Sequence, residues 1–257
     1  MLNMIRADTY RLLRSKGFYI TQILMVIVAM ISISTSSVGM ILGNDSVRQF
    51  QNVGNRLIWT GSTSVRIMSS MASVLIYFLL PLFIMTIGFE FSRKTYKNPL
   101  SSGMTRLNFF VSKYVVFLFL TVCQIIFFYG FVFLGCSLKN GIGHITRHFI
   151  VKWLQTASLQ FVELSAIFAV AVLIVYLFFS TLTAVVTTIL FPMIMTLMFA
   201  LFYKHKWVGN FNFQNNVDSA YFTYYTASGM TQLLFVALGT ILVCLVISYL
   251  TFRRRDL

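Results

Sequence analysis

Residues 89–113, FEFSRKTYKNPLSSGMTRLNFFVSK, form the one long polar stretch of this chain with an apolar run on either side long enough to cross a bilayer. A membrane-crossing helix needs about 20 predominantly apolar residues, so this stretch decides between a soluble fold and a bundle of membrane helices. It carries Arg93, Lys94, Lys97, Arg106 and Lys113 against a single acid, Glu90. Short loops rich in Lys and Arg stay on the cytoplasmic side, which places the stretch inside.

The whole chain agrees with that reading. Its 257 residues are 58% hydrophobic and only 10% charged, too apolar for a soluble domain of this length. The fold class expected is an all-α integral membrane protein, one polytopic domain over residues 1–257 with six transmembrane helices behind an N-terminal amphipathic interfacial helix. The net charge of +14 is spread over short loops, where it sets topology and meets anionic lipid head groups. No nucleic-acid partner is implied. Cys123, Cys136 and Cys244 lack ligand-like spacing and read as small buried hydrophobes.

Upstream, residues 1–17 (MLNMIRADTYRLLRSKG) are too polar to span. At about 100° per residue, Met1, Leu2, Ile5, Leu12 and Leu13 share one arc and Arg6, Arg11 and Arg14 another. This describes a helix in the cytoplasmic interface with its arginines toward phosphate; the positive flank of a signal-anchor is the alternative. Crossings are expected at 18–42, 67–88, 109–134, 157–179, 181–203 and 230–252. The first is too long for a signal-peptide core and is expected to be retained. Its outer half is rich in Ser and Thr, which favours a protein-facing position. Pro81 predicts a kink, and Asn98, ahead of Pro99, predicts a turn.

Residues 43–66, 136–154 and 204–229 are expected outside. His144 and His148 stand four apart, but two histidines without a third ligand do not make a metal site. The fourth and fifth crossings are so close that they form a tight hairpin at the cytoplasmic side. Glu163 is the only acid inside an expected crossing, which marks it as a functional candidate, with Lys152 or a head group as its structural partner. Ser34, Thr35 and Glu163 are the candidate translocation path. Tyr221, Phe222, Tyr224 and Tyr225 fit an interfacial aromatic belt or an outer gate. Twelve of the 20 Lys and Arg fall inside and eight outside, so six crossings with both termini cytoplasmic are favoured.

The chain holds no G-x-x-x-x-G-K-[ST], H-E-x-x-H or G-x-S-x-G motif. One intramembrane acid and almost no intramembrane base leave it short of the ionisable pairs of ion-coupled carriers. If it moves a solute, the energy enters through another subunit.

Three pieces, covering nearly the whole chain, resemble the membrane subunit of type-2 ABC exporters, the six-helix permeases that include bacteriocin and lantibiotic immunity transporters. Tyr10–Lys16 looks like that family's elbow helix. Glu90, Thr95, Lys97 and Thr105-Arg106 are similar to its pattern around the coupling helix, within the 89–108 loop. Phe252-Arg253-Arg254-Arg255-Asp256 matches its aromatic-basic-acid exit. Lys94 departs from the pattern, standing where a glycine is frequent, and Pro99 interrupts the would-be coupling helix.

The resemblance implies a permease without catalytic residues, not itself an enzyme. Glu90, Thr95, Tyr96, Lys97, Asn98, Ser101, Ser102 and Arg106 would couple it to a cytoplasmic ATPase, with Glu90 and Arg106 pairing to fix the loop. It implies two copies of that ATPase, which would hold the ATP and Mg, no cofactor on this chain, and a second permease chain, identical or homologous, in the bacterial cell membrane. Amphipathic peptides such as bacteriocins are the expected cargo. Drug or lipid-like cargo, a secondary carrier or channel, and a scaffold that transports nothing are the alternatives.

Overall fold

Each of the six expected runs holds a long helix among the described residues. The structure, a computed structural model, describes residues 2–38, 45–202, 206–222 and 227–254. In chain order its helices are α1 (Leu2–Leu13), α2 (Lys16–Thr35), α3 (Asp45–Gly54), α4 (Gly61–Ser92), α5 (Lys97–Ser101), α6 (Arg106–Asn140), α7 (Arg147–Phe178), α8 (Thr181–Leu201), α9 (Lys206–Gly209), α10 (Phe213–Ser219) and α11 (Ala227–Arg254). Six of them, α2, α4, α6, α7, α8 and α11, are long and apolar enough to cross a membrane. No strand occurs among the described residues. The chain is a multi-pass, all-α membrane protein.

Hydroxyl side chains set where the spans begin. Ser15, Thr60, Thr105, Thr146 and Ser180 accept from the backbone N–H of Phe18, Thr63, Asn108, Phe149 and Thr183, each a cap worth about 1 kcal/mol. Left-handed residues close two of them, Ser36 after α2 (φ 48°) and Phe179 after α7 (φ 51°). These boundaries correct several expectations. The first span ends at Thr35, well short of residue 42, and residues 39–44 lie outside those described. The second starts at Gly61, so Arg66 belongs to a helix and not to a loop. α6 and α7 extend until only residues 141–146 separate them, which leaves His144 in the loop and His148 on α7. The two share no helix face, and among the described residues no three His, Cys, Asp or Glu are grouped to hold a metal ion. Of the cysteines, Cys136 and Cys244 are buried as expected, whereas Cys123 is exposed.

Consecutive spans alternate in direction, so α1, α5, the Phe179–Ser180 turn and the close of α11 meet at one end, here the terminal end. Thr181 Oγ1 donates to the Gly88 carbonyl there (2.8 Å), and the Arg106 guanidinium to that of Phe252 (3.1 Å). The α7–α8 hairpin expected from sequence lies at this end. At the opposite end the loop after α6 caps the start of α4: Gly61 and Ser62 donate their N–H groups to the Gly141 and Ile142 carbonyls, both at 3.0 Å.

α4 is the axis of the bundle, with 72% of its apolar window buried against 17% for α8. Phe83 of α4, Phe117 of α6 and Phe168 of α7 meet with ring centroids 5.0–5.6 Å apart. Lipid is as apolar as these side chains, so tight packing and polar contacts, not the hydrophobic effect, hold such helices together. Gln22 of α2 contributes one such contact, donating to Gln124 of α6 at 2.9 Å.

The axis is broken. Between its α-helical segments α4 tightens to a 3₁₀ turn at Ser69–Val74 and loosens to a π turn at Ile84–Gly88. Pro81 lies inside the regular segment Leu75–Phe83; the non-helical backbone is earlier, at Met71 (φ −120°, ψ 15°). Each backbone group left unpaired in an apolar slab costs several kcal/mol, and neighbouring helices supply partners. Asp218 of α10 accepts the Ser73 N–H at 2.8 Å, Gln51 of α3 donates to the Ser70 carbonyl at 3.1 Å, and Gln160 of α7 donates to that of Ser69 at 3.4 Å.

Gly143 tests the cap at the opposite end. It has φ 77°, and a Cβ there would lie 2.4 Å from Thr60 Oγ1 and 2.6 Å from Ser62 Oγ. Gly143→Ala is expected to destabilise the fold by about 2 kcal/mol, read as a lowered thermal midpoint in detergent.

Candidate functional site

The site begins with a neutral cluster of four charges at the terminal end. Lys113, in the second turn of α6, is 1% exposed. Its Nζ meets Asp8 of α1 at 2.8 and 2.7 Å and also Glu90 of α4. Arg11 closes the group from the solvent side, 3.4 Å from Glu90 Oε1 and 3.3 Å from Asp8 Oδ1, and it also reaches the Met85 carbonyl at 3.4 Å. Asp8 and Glu90 are each 6% exposed. Two acids and two bases thus join α1, α4 and α6 at one point. Charges taken out of water need their partners: removing one strands the others, at a cost of about 3–5 kcal/mol.

This arrangement corrects the sequence reading in four respects. Lys113 is a buried interhelical charge and not a loop charge. Arg11, though half exposed, pairs with Asp8 and Glu90, whereas Arg14 lies over the Tyr10 ring at 4.5 Å. Glu90 pairs with Lys113 and Arg11, not with Arg106, whose guanidinium instead reaches the Phe252 and Arg253 carbonyls. The spans therefore contain an ionisable pair, and a second acid besides Glu163. The missing partner, Asp8, does have a sequence signal. On a helical wheel it falls among Met4, Ile5 and Leu12, inside the apolar arc, and Leu12 is buried beside it.

Behind the charges lies an aromatic cluster. Phe91 stacks on Tyr96 at 5.3 Å and meets Tyr176 and Phe179, at the close of α7, at 4.7 and 5.2 Å. Tyr176 in turn meets Phe252 of α11 at 5.2 Å. Tyr96 is thus 7% exposed, an anchor that holds the 89–105 segment down, and is unable to make the outward contact expected of it.

The segment it holds presents a small polar surface. Thr95, Lys97, Asn98, Ser101 and Ser102 are all exposed. Asn98 is helical, not a turn, because Pro99 sits in the first turn of α5, where no intrahelical N–H donor is needed. Ser101 and Ser102 donate to the Asn98 and Pro99 carbonyls at 2.9 and 3.0 Å. Beside them Lys97, Leu100, Ser101, Met104 and Arg106 line a cleft of about 420 Å³. Lys94, just upstream, has φ 54°, a conformation in which glycine is at home.

The other candidates lie elsewhere and are not gathered into one path. Ser34 and Thr35 are exposed on α2 and bond to the Ile31 carbonyl of their own helix. Glu163 is fully buried on α7, with the Asn216 amide of α10 beside it and no hydrogen bond to either carboxylate oxygen. Lys152 does not serve it; its ammonium stands 4.7 Å over the Tyr221 ring. The polar run expected to form an outside loop is instead buried: Asn212, Gln214, Asn216 and Asp218 are all covered. Of the expected aromatic belt, Tyr221 is buried and Phe222 stacks on Phe50 at 4.7 Å. Tyr224, Tyr225, Arg255 and Asp256 lie outside the described residues.

Three outcomes are expected. Lys113→Met leaves two buried carboxylates facing each other and destabilises the fold by about 3–5 kcal/mol, and adding Asp8→Asn and Glu90→Gln restores most of the loss; thermal midpoints in detergent measure both. Lys94→Gly relieves the left-handed backbone and stabilises by about 1 kcal/mol. Burial pushes the Asp218 carboxyl from 3.8 up to about 8, so the folded chain holds this proton more tightly than the unfolded one. That contribution to stability is full below about pH 4 and fades as pH rises toward about 8, and Asp218→Asn is expected to flatten this slope in a thermal pH series.

Comparison with curated proteins returns no match. The family model described as "Protein of unknown function (DUF2705)" matches residues 22–257, from the first turns of α2 to the last residue. The chain belongs to the DUF2705 family.

Proposed function

We propose that the chain is the membrane subunit of an ATP-driven exporter, coupled through α5 to a separate cytoplasmic ATPase. The observation that carries this reading is the mounting of α5. A short exposed helix stands on a buried aromatic cluster and beside a neutral charge cluster, so a force on it is delivered to α4 and α6 as a rigid-body displacement. Thr95, Lys97, Asn98, Ser101 and Ser102 make the docking contacts. Glu90 and Tyr96 hold the mount.

The proposed orientation puts this end in the bacterial cytoplasm, with both termini. Arg6, Arg14, Arg93, Lys94, Lys97 and Arg253 are exposed there, which supports that sense. ATP and Mg belong to the ATPase, since this chain has no phosphate-loop motif. Two ATPase copies and a second permease chain complete the transporter, and amphipathic peptides such as bacteriocins are its proposed cargo, on the strength of the resemblance to immunity and export systems.

Co-expression with the cognate ATPase tests the coupling. Reversing charge and bulk on α5 with Lys97→Glu and Ser101→Glu is expected to cut complex recovery and ATP turnover about tenfold, equivalent to about 1.4 kcal/mol of docking energy, whereas Arg14→Ala on α1 leaves both unchanged. Full turnover in the α5 variant overturns the reading. So does labelling of a cysteine placed at Ser102 by a membrane-impermeant reagent on intact cells.

A further inference from the structure

Far from α5, the opposite half of the bundle encloses an acid without a visible counter-charge. α10 is polar in sequence, FQNNVDS, yet Gln214, Asn216, Asp218 and Ser219 are buried where it wedges against α4 and α7. Under it lies Glu163, at 0% exposure, with neither oxygen hydrogen-bonded. The neutral Asn216 amide faces it and also donates to the Asn210 carbonyl at 3.2 Å. Gln214 Nε2 and Asn215 Oδ1 on the same short helix are also buried and without a hydrogen bond.

The surrounding elements bring no positive charge to it among the described residues. From α4, Arg66 stands over the Phe149 ring at 5.0 Å, and from α7 itself Lys152 stands over Tyr221. From α6 comes Tyr129, whose hydroxyl donates to Gln160 Oε1 at 2.7 Å. From α10 comes Asp218, a second carboxyl, occupied with the Ser73 N–H. α8 has no acidic or basic residue, and neither does α11 before Arg253, where Cys244 and Tyr249 are the titratable groups. An ionised carboxylate enclosed in this way costs several kcal/mol unless a positive partner offsets it.

We propose that Glu163, beneath α10, is a binding site for one small monovalent cation, a proton or a sodium ion. One carboxylate faced by the neutral Asn216 amide matches a single positive charge, and the absence of a three-ligand group among the described residues argues against a multivalent metal. An occupied site lets α10 stay seated on the broken axis; an empty one leaves a bare charge that favours lifting α10 and admitting water. The site is independent of what docks on α5.

The full chain in detergent micelles tests this with two arms. Infrared spectra at pH 7 without sodium, recorded in an Asp218→Asn background so that this second buried carboxyl is silent, report a proton: a neutral carboxylic-acid carbonyl band that is lost when Glu163→Gln is added. Thermal midpoints in sodium chloride against choline chloride of equal ionic strength report sodium, as a rise in the wild type that Glu163→Gln abolishes. Either signature supports the site and identifies its ion. Absence of a sodium-dependent midpoint in the wild type together with absence of a neutral-acid band in the Asp218→Asn background overturns it, as does persistence of the observed signature once Glu163→Gln is added. Should that variant fail to fold, Glu163→Asp, which keeps the carboxyl, is expected to shift the band or the sodium dependence; an unshifted signature in it counts against the site.

Discussion

The contact of Lys113 with Asp8 and Glu90 is the constraint on which the terminal end depends. It fixes three segments that the chain visits far apart, Asp8 lying 105 residues before Lys113, and does so with almost no water to screen it. Such a cluster resists dissection because each member is tolerable only in the presence of the others. α1 is thereby more than a float on the interface. Its exposed Leu2 and Leu13 suit an apolar boundary, while Asp8 and Leu12 bind it to the bundle. The aromatic cluster extends the same constraint sideways to α7 and α11, so every element that closes at this end is tied to the 89–105 segment.

A second constraint governs the opposite half. Once α4 departs from regular helix at Ser69–Val74, its backbone groups need partners that lipid does not offer. Gln51, Gln160 and Asp218 supply them from three different helices. This explains why so polar a segment as 210–220 is buried. It completes the hydrogen bonding of the broken span, and its burial in turn encloses Glu163.

Much of the fold was legible in the residues. The six apolar runs and the chargeless Phe179–Ser180 turn act through local chemistry, and each run holds one of the six long helices, although the first closes at Thr35 where 42 was expected and the fourth opens at Arg147 where 157 was expected. What escaped the reading is set by contacts distant in sequence. Tyr96 looks like a surface residue until Phe91 and Phe179 pack against it. The burial of Asn212–Ser219 depends on a break in α4 that Pro81 did not mark. The partner of Glu90 differs for another reason: Arg106 is the base expected to close the loop on it, but the carboxylate faces into the bundle, toward Lys113 and the acid hidden in the apolar arc of α1.

α6 holds 35 residues, which at 1.5 Å of rise each make it about 52 Å long, well beyond the ~30 Å of a hydrocarbon layer. Its first turns carry the contacts of Phe109, Phe110 and Lys113 with the bundle, and Thr105 and the segment before it are joined to the tip of this rod. Length of this kind is leverage. Pivoting the rod by about 10° about its far end swings the tip through about 9 Å, while the side chains near the fulcrum barely change neighbours.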